Sequence, residues 1–183
     1  MRQFLAAIWD TIEVAIIALM VVLIIRTFLF QPFLVEGSSM FPTFQNKDYL
    51  IVDELTYRFR EPARGEIIVF HPPKAEDNYY IKRIIGLPGE TIEIKDNKVI
   101  IYNSEYPRGF VLKEPYLLDE KTPGDIKISL TQNEYFVLGD NRYASYDSRA
   151  WGILTKNKIV GIARLRIWPI SSVRAFSNFH YEY

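Results

Sequence analysis

A chain of 183 residues, 49% hydrophobic and 24% charged, has length for one globular domain with a buried core plus a short addition, and its composition excludes a disordered protein. Lysine plus arginine equals aspartate plus glutamate at 22 each with no basic run, so no nucleic-acid partner is expected. The absence of cysteine excludes thiol catalysis, disulfides and cysteine-based zinc sites together.

In chain order, the first predicted element is apolar. Val14 to Ile25 is an unbroken hydrophobic run, and Phe28 to Phe30 prolong it past Arg26 and Thr27, which is close to the lower length limit of a membrane-spanning helix. Arg26 can snorkel toward headgroups. A buried core helix and a cleaved signal peptide are the rivals. The second lacks an Ala-x-Ala-like site, because Phe30-Gln31-Pro32-Phe33 follows the run. The reading is a short N-terminus at residues 1–10, a retained transmembrane anchor at 11–30 and a separate domain at 31–183. Arg2 on one side is balanced by Asp10 and Glu13, and Arg26 lies on the other, so charge leaves the orientation open.

Beyond the anchor the pattern becomes mainly β: short strands broken by Gly, Pro and Asp turns. The predicted strands are Tyr49 to Val52, Glu66 to Phe70, Tyr80 to Ile85, Thr91 to Lys95, Val99 to Tyr102, Glu134 to Leu138 and Ile159 to Ile167. Leu87-Pro88-Gly89-Glu90 has the residues of a type II turn, and Asp96-Asn97 closes a tight hairpin. Residues 103–132, polar and punctuated by Pro107, Pro115 and Pro123, read as a surface excursion, and Ser171 to Tyr183 as a polar, aromatic tail.

Four segments carry possible chemistry. Glu36-Gly37-Ser38-Ser39-Met40-Phe41-Pro42-Thr43 offers two adjacent hydroxyls on a Gly/Pro loop, either a plain turn or a nucleophile that needs a base. The two histidines are poor bases by position: His71 runs into a double proline and His180 is three residues from the C-terminus. Carboxylate pairs, Asp140 with Asp147 or Glu61 with Glu66, sit beside Arg and Gly, as turn formers and surface ion pairs do, and no metal-ligand spacing accompanies them. In Tyr79-Tyr80-Ile81-Lys82-Arg83-Ile84-Ile85, strand alternation sets Tyr80, Lys82 and Ile84 against Ile81, Arg83 and Ile85, so one cation faces the more buried side. That is either an edge strand defended by charge or a desolvated lysine whose neutral amine accepts a serine proton. Gly139-Asp140-Asn141-Arg142-Tyr143-Ala144-Ser145-Tyr146-Asp147-Ser148-Arg149 reads alone as a turn rich in local hydrogen bonds that ends in an Asp147 to Arg149 ion pair.

Taken together and in order, Gly-x-Ser-Met-x-Pro-Thr at 37–43, Arg-Gly-Glu-Ile-Ile-Val-Phe at 64–70, Tyr-Ile-Lys-Arg-Ile-Ile-Gly-Leu-Pro-Gly at 80–89 and Gly-Asp-Asn-Arg with Ser-x-Asp-Ser-Arg at 139–149 resemble bacterial type I signal peptidases. The resemblance covers about Phe30 to Trp168. It implies a β-rich catalytic domain behind one N-terminal transmembrane helix, with Ser39 as nucleophile, Lys82 as general base and Ser145 orienting the lysine amine. Arg83, Asp147 and Arg149 would brace the loop. The Ser39 N–H would be one oxyanion donor. Gly37 stands where many relatives carry an oxyanion serine, which leaves the second donor to a backbone N–H at Gly37 or near Ser38. Phe33, Val35, Met40, Tyr80 and Ile81 would line the substrate pockets. The implied partners are signal peptides of exported preproteins, cut after small residues as in Ala-x-Ala, a lipid bilayer and a nearby export translocon. The implied place is the cytoplasmic (inner) membrane, single-pass, with the catalytic domain on the extracytoplasmic side. No cofactor or metal is implied. The alternatives are a Ser/Lys self-cleaving protease of the repressor type and a membrane-tethered, non-catalytic peptide-binding β module.

Overall fold

The computed structural model describes residues 2–28, 30–75, 77–176 and 181, and within the N-terminal helix the side chains of residues 8–21. Helix α1 covers Arg2–Phe28 and every described side chain on it is exposed. Among the described residues no helix is long and apolar enough to cross a membrane. The expected anchor at 11–30 falls partly outside the described residues: Leu29 and the side chains of 22–30 are not among them.

The strands follow as β1 (Phe30–Leu34), β2 (Tyr49–Asp53), β3 (Ile67–Phe70), β4 (Tyr80–Gly86), β5 (Thr91–Lys95), β6 (Lys98–Tyr102), β7 (Phe110–Val111), β8 (Ile126–Ser129) and β9 (Glu134–Leu138). Then come the short helix α2 (Ser148–Trp151), β10 (Leu154–Thr155), β11 (Ile159–Trp168) and β12 (Arg174–Ala175). Among the described residues they form two antiparallel sheets. The larger runs β1-β2-β11-β3-β4-β9-β10 with β12 on β11, and the smaller runs β7-β6-β5-β8. β3, enclosed by β11 and β4, is buried at every position, as expected of an Ile-Ile-Val-Phe run with both faces covered. β5 and β6 alternate instead, with Ile92, Ile94, Val99 and Ile101 inward, and their turn has φ of 51° at Asp96 and 60° at Asn97, the left-handed pair that a two-residue hairpin of this twist requires.

Three apolar clusters hold the sheets together. Ile85, Phe136 and Leu138 of the large sheet pack on Ile92, Ile94 and Ile101 of the small one. Ile68, Phe70, Ile84 and Val137 pack beneath Trp151 of α2. Val35, Met40, Phe44 and Leu50 close the end near β1.

Two expectations are corrected. Residues 103–132 are not a surface excursion: they supply β7 and β8, which extend the small sheet through Ile101↔Phe110 and Ile92↔Ile128, and they bury Leu112, Glu114, Leu117 and Thr122. The described part of the tail is likewise integrated, since β12 pairs with β11 and the Tyr181 hydroxyl lies 3.0 Å from that of Tyr116. Among the described residues β1 is an edge strand paired only with β2, which explains how Pro32 is accommodated.

Candidate active site

The loop between β1 and β2 carries Ser39. Gly37 takes φ of 91°, a left-handed conformation that glycine adopts without strain, and turns the chain after the edge strand. Met40 and Phe44, 1% and 0% exposed, then plug the loop into the core, so the residue before Met40 is held at the rim. Asn141 secures it from the other side: its N–H donates to the Ser39 carbonyl at 2.9 Å and its Nδ2 to the Ser38 carbonyl at 3.2 Å.

Lys82 reaches Ser39 from β4. Its Nζ lies 2.8 Å from Ser39 Oγ and 2.9 Å from the Ile81 carbonyl, with the Tyr80 ring centroid 5.5 Å away. The lysine is 4% exposed. Burial pushes its pKa down from 10.5 to about 8, against the opposing pull of Asp147 and Asp140. At pH 7 roughly one such amine in ten is neutral, compared with about one in three thousand for an unperturbed lysine. A neutral amine accepting from a serine hydroxyl is a general base paired with a nucleophile.

Both aspartates that pull on Lys82 are themselves held by arginines. Arg83, the next residue on β4 and therefore on its opposite face, donates Nε to Asp140 Oδ1 at 2.8 Å and Nη2 to Oδ2 at 2.6 Å, and Thr43 adds a hydroxyl at 2.5 Å. Asp147, fully buried, caps α2 and binds Arg149 through Nε and Nη2 at 2.8 Å each, and it accepts the Gly139 N–H at 3.1 Å. The two carboxylates are therefore anchors of the 139–149 loop and not an acid/base pair. Glu66 is bound by Arg60, Tyr57 and the Ala63 N–H, while Glu61 meets Lys156 at the surface.

Ser145 stands beside the pair. Its Oγ is buried and makes no hydrogen bond among the described residues. A Cβ added at Gly139 would fall 2.5 Å from the Ser39 carbonyl oxygen and closer still to Ser145 Oγ, so glycine is what lets these segments meet. The expected bond from Ser145 to the lysine amine is not formed, because Lys82 Nζ is directed to Ser39 and to the Ile81 carbonyl. The Gly37 N–H is also differently engaged, donating to Asn46 Oδ1 at 3.0 Å. In this arrangement it is not a free oxyanion donor.

A cavity of about 640 Å³ opens over Ser39 and Lys82, lined by Phe33, Val35, Tyr80 and Ile81 and also by Leu50 and Val69. Met40 is not on its wall: it lies in the cluster beneath, because its side chain serves as the plug of the Ser39 loop. The backbone around the cavity is open on two sides. β1 has an unpaired edge, and on β4 the partner β9 begins only opposite Arg83, leaving Tyr80 to Lys82 without a strand on that side among the described residues. His71 stacks on Tyr79 at 4.5 Å and is not on the cavity wall; His180 lies outside the described residues. Sequence reasoning gave no role to Asn46, quoted Thr43 and Arg142 only within motifs, and did not foresee the Glu114–Arg142 pair, in which Arg142 donates to Glu114 at 2.5 and 2.7 Å and to the Gly139 carbonyl at 2.9 Å.

Comparison with known proteins gives a consistent relationship. The family model described as "Signal peptidase, peptidase S26" matches residues 8–168. A probable signal peptidase I-2 of Synechocystis sp. is 40% identical over 154 residues, 81% of this chain and 68% of that protein. Signal peptidase I P of Bacillus subtilis subsp. natto is 38% identical over 171 residues, 90% of this chain and 91% of that one. A crystal structure of a signal peptidase I from Enterococcus faecalis V583 is 32% identical, covers 56% of this chain and 97% of its own, and aligns with a TM-score of 0.48.

Proposed function

The chain belongs to the signal peptidase family, peptidase S26, whose members are serine endopeptidases, and from that premise we propose that it removes signal peptides from exported preproteins by a Ser/Lys dyad. The observation that carries the mechanism is the 2.8 Å contact between a buried, pKa-lowered Lys82 and Ser39 Oγ.

In the proposed reaction Lys82 Nζ takes the Ser39 proton as Oγ attacks the peptide carbonyl. The Ser39 N–H, unengaged by any described residue, faces the developing oxyanion. The ammonium then protonates the leaving amine, and the regenerated amine activates the water that hydrolyses the acyl-enzyme. Ser145, whose buried hydroxyl lacks a partner, can accept from the ammonium when Ser39 Oγ becomes acylated.

Because Lys82 must be neutral to act, kcat/KM for a peptide is expected to rise about tenfold per pH unit below its pKa, bend near pH 8 and level off above it. A rate profile over pH 5–10 measures this. A bend at pH 6 or below would move the base from Lys82 to another group.

The substrate fits as an added strand between the free edge of β1 and the open Tyr80–Lys82 edge of β4. Alternate side chains of such a strand enter the apolar cavity, so the first and third residues before the scissile bond are read and both are small, as in Ala-x-Ala. Phe or Leu at the first position should lower kcat/KM by roughly tenfold to a hundredfold, whereas the second tolerates bulk. Cleaving a preprotein series varied at these positions and mapping the new N-terminus tests both claims; insensitivity at the first and third would place the substrate elsewhere.

Membrane attachment rests on α1. Ile8, Trp9, Val14, Ile16 and Leu19 are all exposed, and the apolar run continues in sequence through Ile25. The described side chains of α1, residues 8–21, are too few by themselves for a span, but the 27 residues of the helix rise about 40 Å against a hydrocarbon core of about 30 Å. Such an apolar surface is covered by lipid. A single pass in the cytoplasmic membrane, near the export translocon and with β1 leading directly into the cleft outside, brings the site to exported chains.

A further inference from the structure

Tyr146 lies on the cavity wall with Ser39 and Lys82, yet the proposed chemistry does not use it. It sits between two inward residues: Ser145 Oγ is buried on one side and Asp147 is fully buried on the other. With its neighbours turned in, the tyrosine is turned out, and it is 54% exposed at the mouth of the cavity. Its backbone is fastened, since Trp151 Nε1 reaches the Tyr146 carbonyl at 3.5 Å and Asp147 begins α2. The ring is thus an aromatic surface on a braced loop, on the wall of the same cavity as Ser39.

The sheet fixes which part of a substrate meets it. A chain added along β4 at Tyr80–Lys82 is collinear with β9, and β9 occupies the same edge from Arg83 onward, ending at Leu138. The added chain must therefore leave the edge at Lys82, and the segment it leaves across is the one that follows β9, whose cavity-lining residues are Ala144 and Tyr146. If the residues before the scissile bond fill the apolar end lined by Phe33, Val35 and Ile81, the residues after it pass over Tyr146.

We propose that Tyr146 is a specificity-determining residue for the leaving side of the substrate, packing against the second residue after the scissile bond and favouring a large apolar or aromatic side chain there. The position follows from strand alternation: with the first residue before the bond turned inward, the first after it turns outward and the second inward again. An aromatic contact of this kind, partly exposed, corresponds to about three- to tenfold in kcat/KM. The inference rests on the signal-peptide reading above and concerns only the half of the substrate released on acylation.

The test uses the full chain in detergent and peptides identical except for Gly, Leu or Phe at that second position. The wild type is expected to prefer Phe over Gly by about three- to tenfold. Tyr146→Ala should bring the Phe/Gly ratio close to one, and Tyr146→Phe should keep it. Because the ratio is measured within one preparation, a general loss of active enzyme does not move it. Phe59→Ala, which removes an exposed aromatic away from the cavity wall, should leave the ratio as in the wild type. A ratio of one in the wild type, or an undiminished ratio in Tyr146→Ala, overturns this inference alone. Cleavage that survives Ser39→Ala overturns the proposed function and this inference with it.

Discussion

Lys82→Arg is expected to abolish cleavage, lowering kcat/KM by about a thousandfold or more, although it keeps the charge and nearly the length of the side chain. Arginine does not deprotonate in a protein, so it supplies no base at any working pH. Lys82→Ala should be equally inactive for the simpler reason that nothing replaces the amine. Ser39→Ala should fall to the same floor, and the double variant no lower, because two residues that act as one unit lose their whole contribution when either is removed. Ser38→Ala is different: its side chain is exposed, and Asn141 holds its carbonyl and not its hydroxyl, so a measurable rate remains. His71→Ala should be near wild type, since that imidazole stacks on Tyr79 off the cavity wall. Steady-state kinetics on folded variants, checked by circular dichroism, decide the matter. An active Lys82→Arg enzyme or an inactive, folded His71→Ala one would sink the dyad.

The parts of this picture that were legible in the sequence are those carried by local pattern. Short β-like runs bounded by turn residues located β5, β6 and β9, and the turn chemistry of Asp96-Asn97 gave the hairpin between the first two. Motif order brought Ser39 and Lys82 to notice though they are 43 positions apart. β1 was hidden because its Phe-Gln-Pro-Phe-Leu follows an apolar helix and contains proline, which argues against a strand unless the strand is at an edge. β8 was hidden because four residues after Pro123 and Gly124 are too few for a period to be counted.

Through-space pairing was legible only where the partners are near in sequence, as in the Asp147–Arg149 ion pair that the spacing suggested and the structure forms. Nothing local marks Asn46 as the acceptor of the Gly37 N–H, and that single bond withdraws Gly37 as a free oxyanion donor. Asp140 read as a turn carboxylate, yet it is claimed by Arg83 from β4, while Asp147 is held by Arg149 in the first turn of α2, the partner its spacing suggested. Their common effect is electrostatic. Each raises the Lys82 pKa while desolvation lowers it by more, so the lysine lands near 8 instead of lower still. The loop thus acts on the pKa of Lys82, the proposed base, through both carboxylates.

The largest structural cost should come from the pair that sequence reasoning passed over. Arg142, 3% exposed, binds both oxygens of buried Glu114, the Thr122 hydroxyl and the Gly139 carbonyl, and its own carbonyl accepts from Arg149 Nη2 at 2.7 Å. Arg142→Met fills similar space but leaves a carboxylate buried without its partner, which costs about 3 to 5 kcal/mol. For a chain of this length that is a fall in Tm of about 6 to 20 °C. Adding Glu114→Leu removes the stranded charge, so the double variant should recover most of the lost stability. Activity should not recover with it, because the Gly139 carbonyl still lacks its donor, and Gly139 is where Ser145 and the Ser39 carbonyl crowd together. Thermal unfolding and kcat/KM measured on both variants separate the two effects. A double variant as unstable as Arg142→Met would mean that the pair is not the source of the loss, and full recovery of kcat/KM would mean that Arg142 stabilises the fold without positioning the catalytic loop.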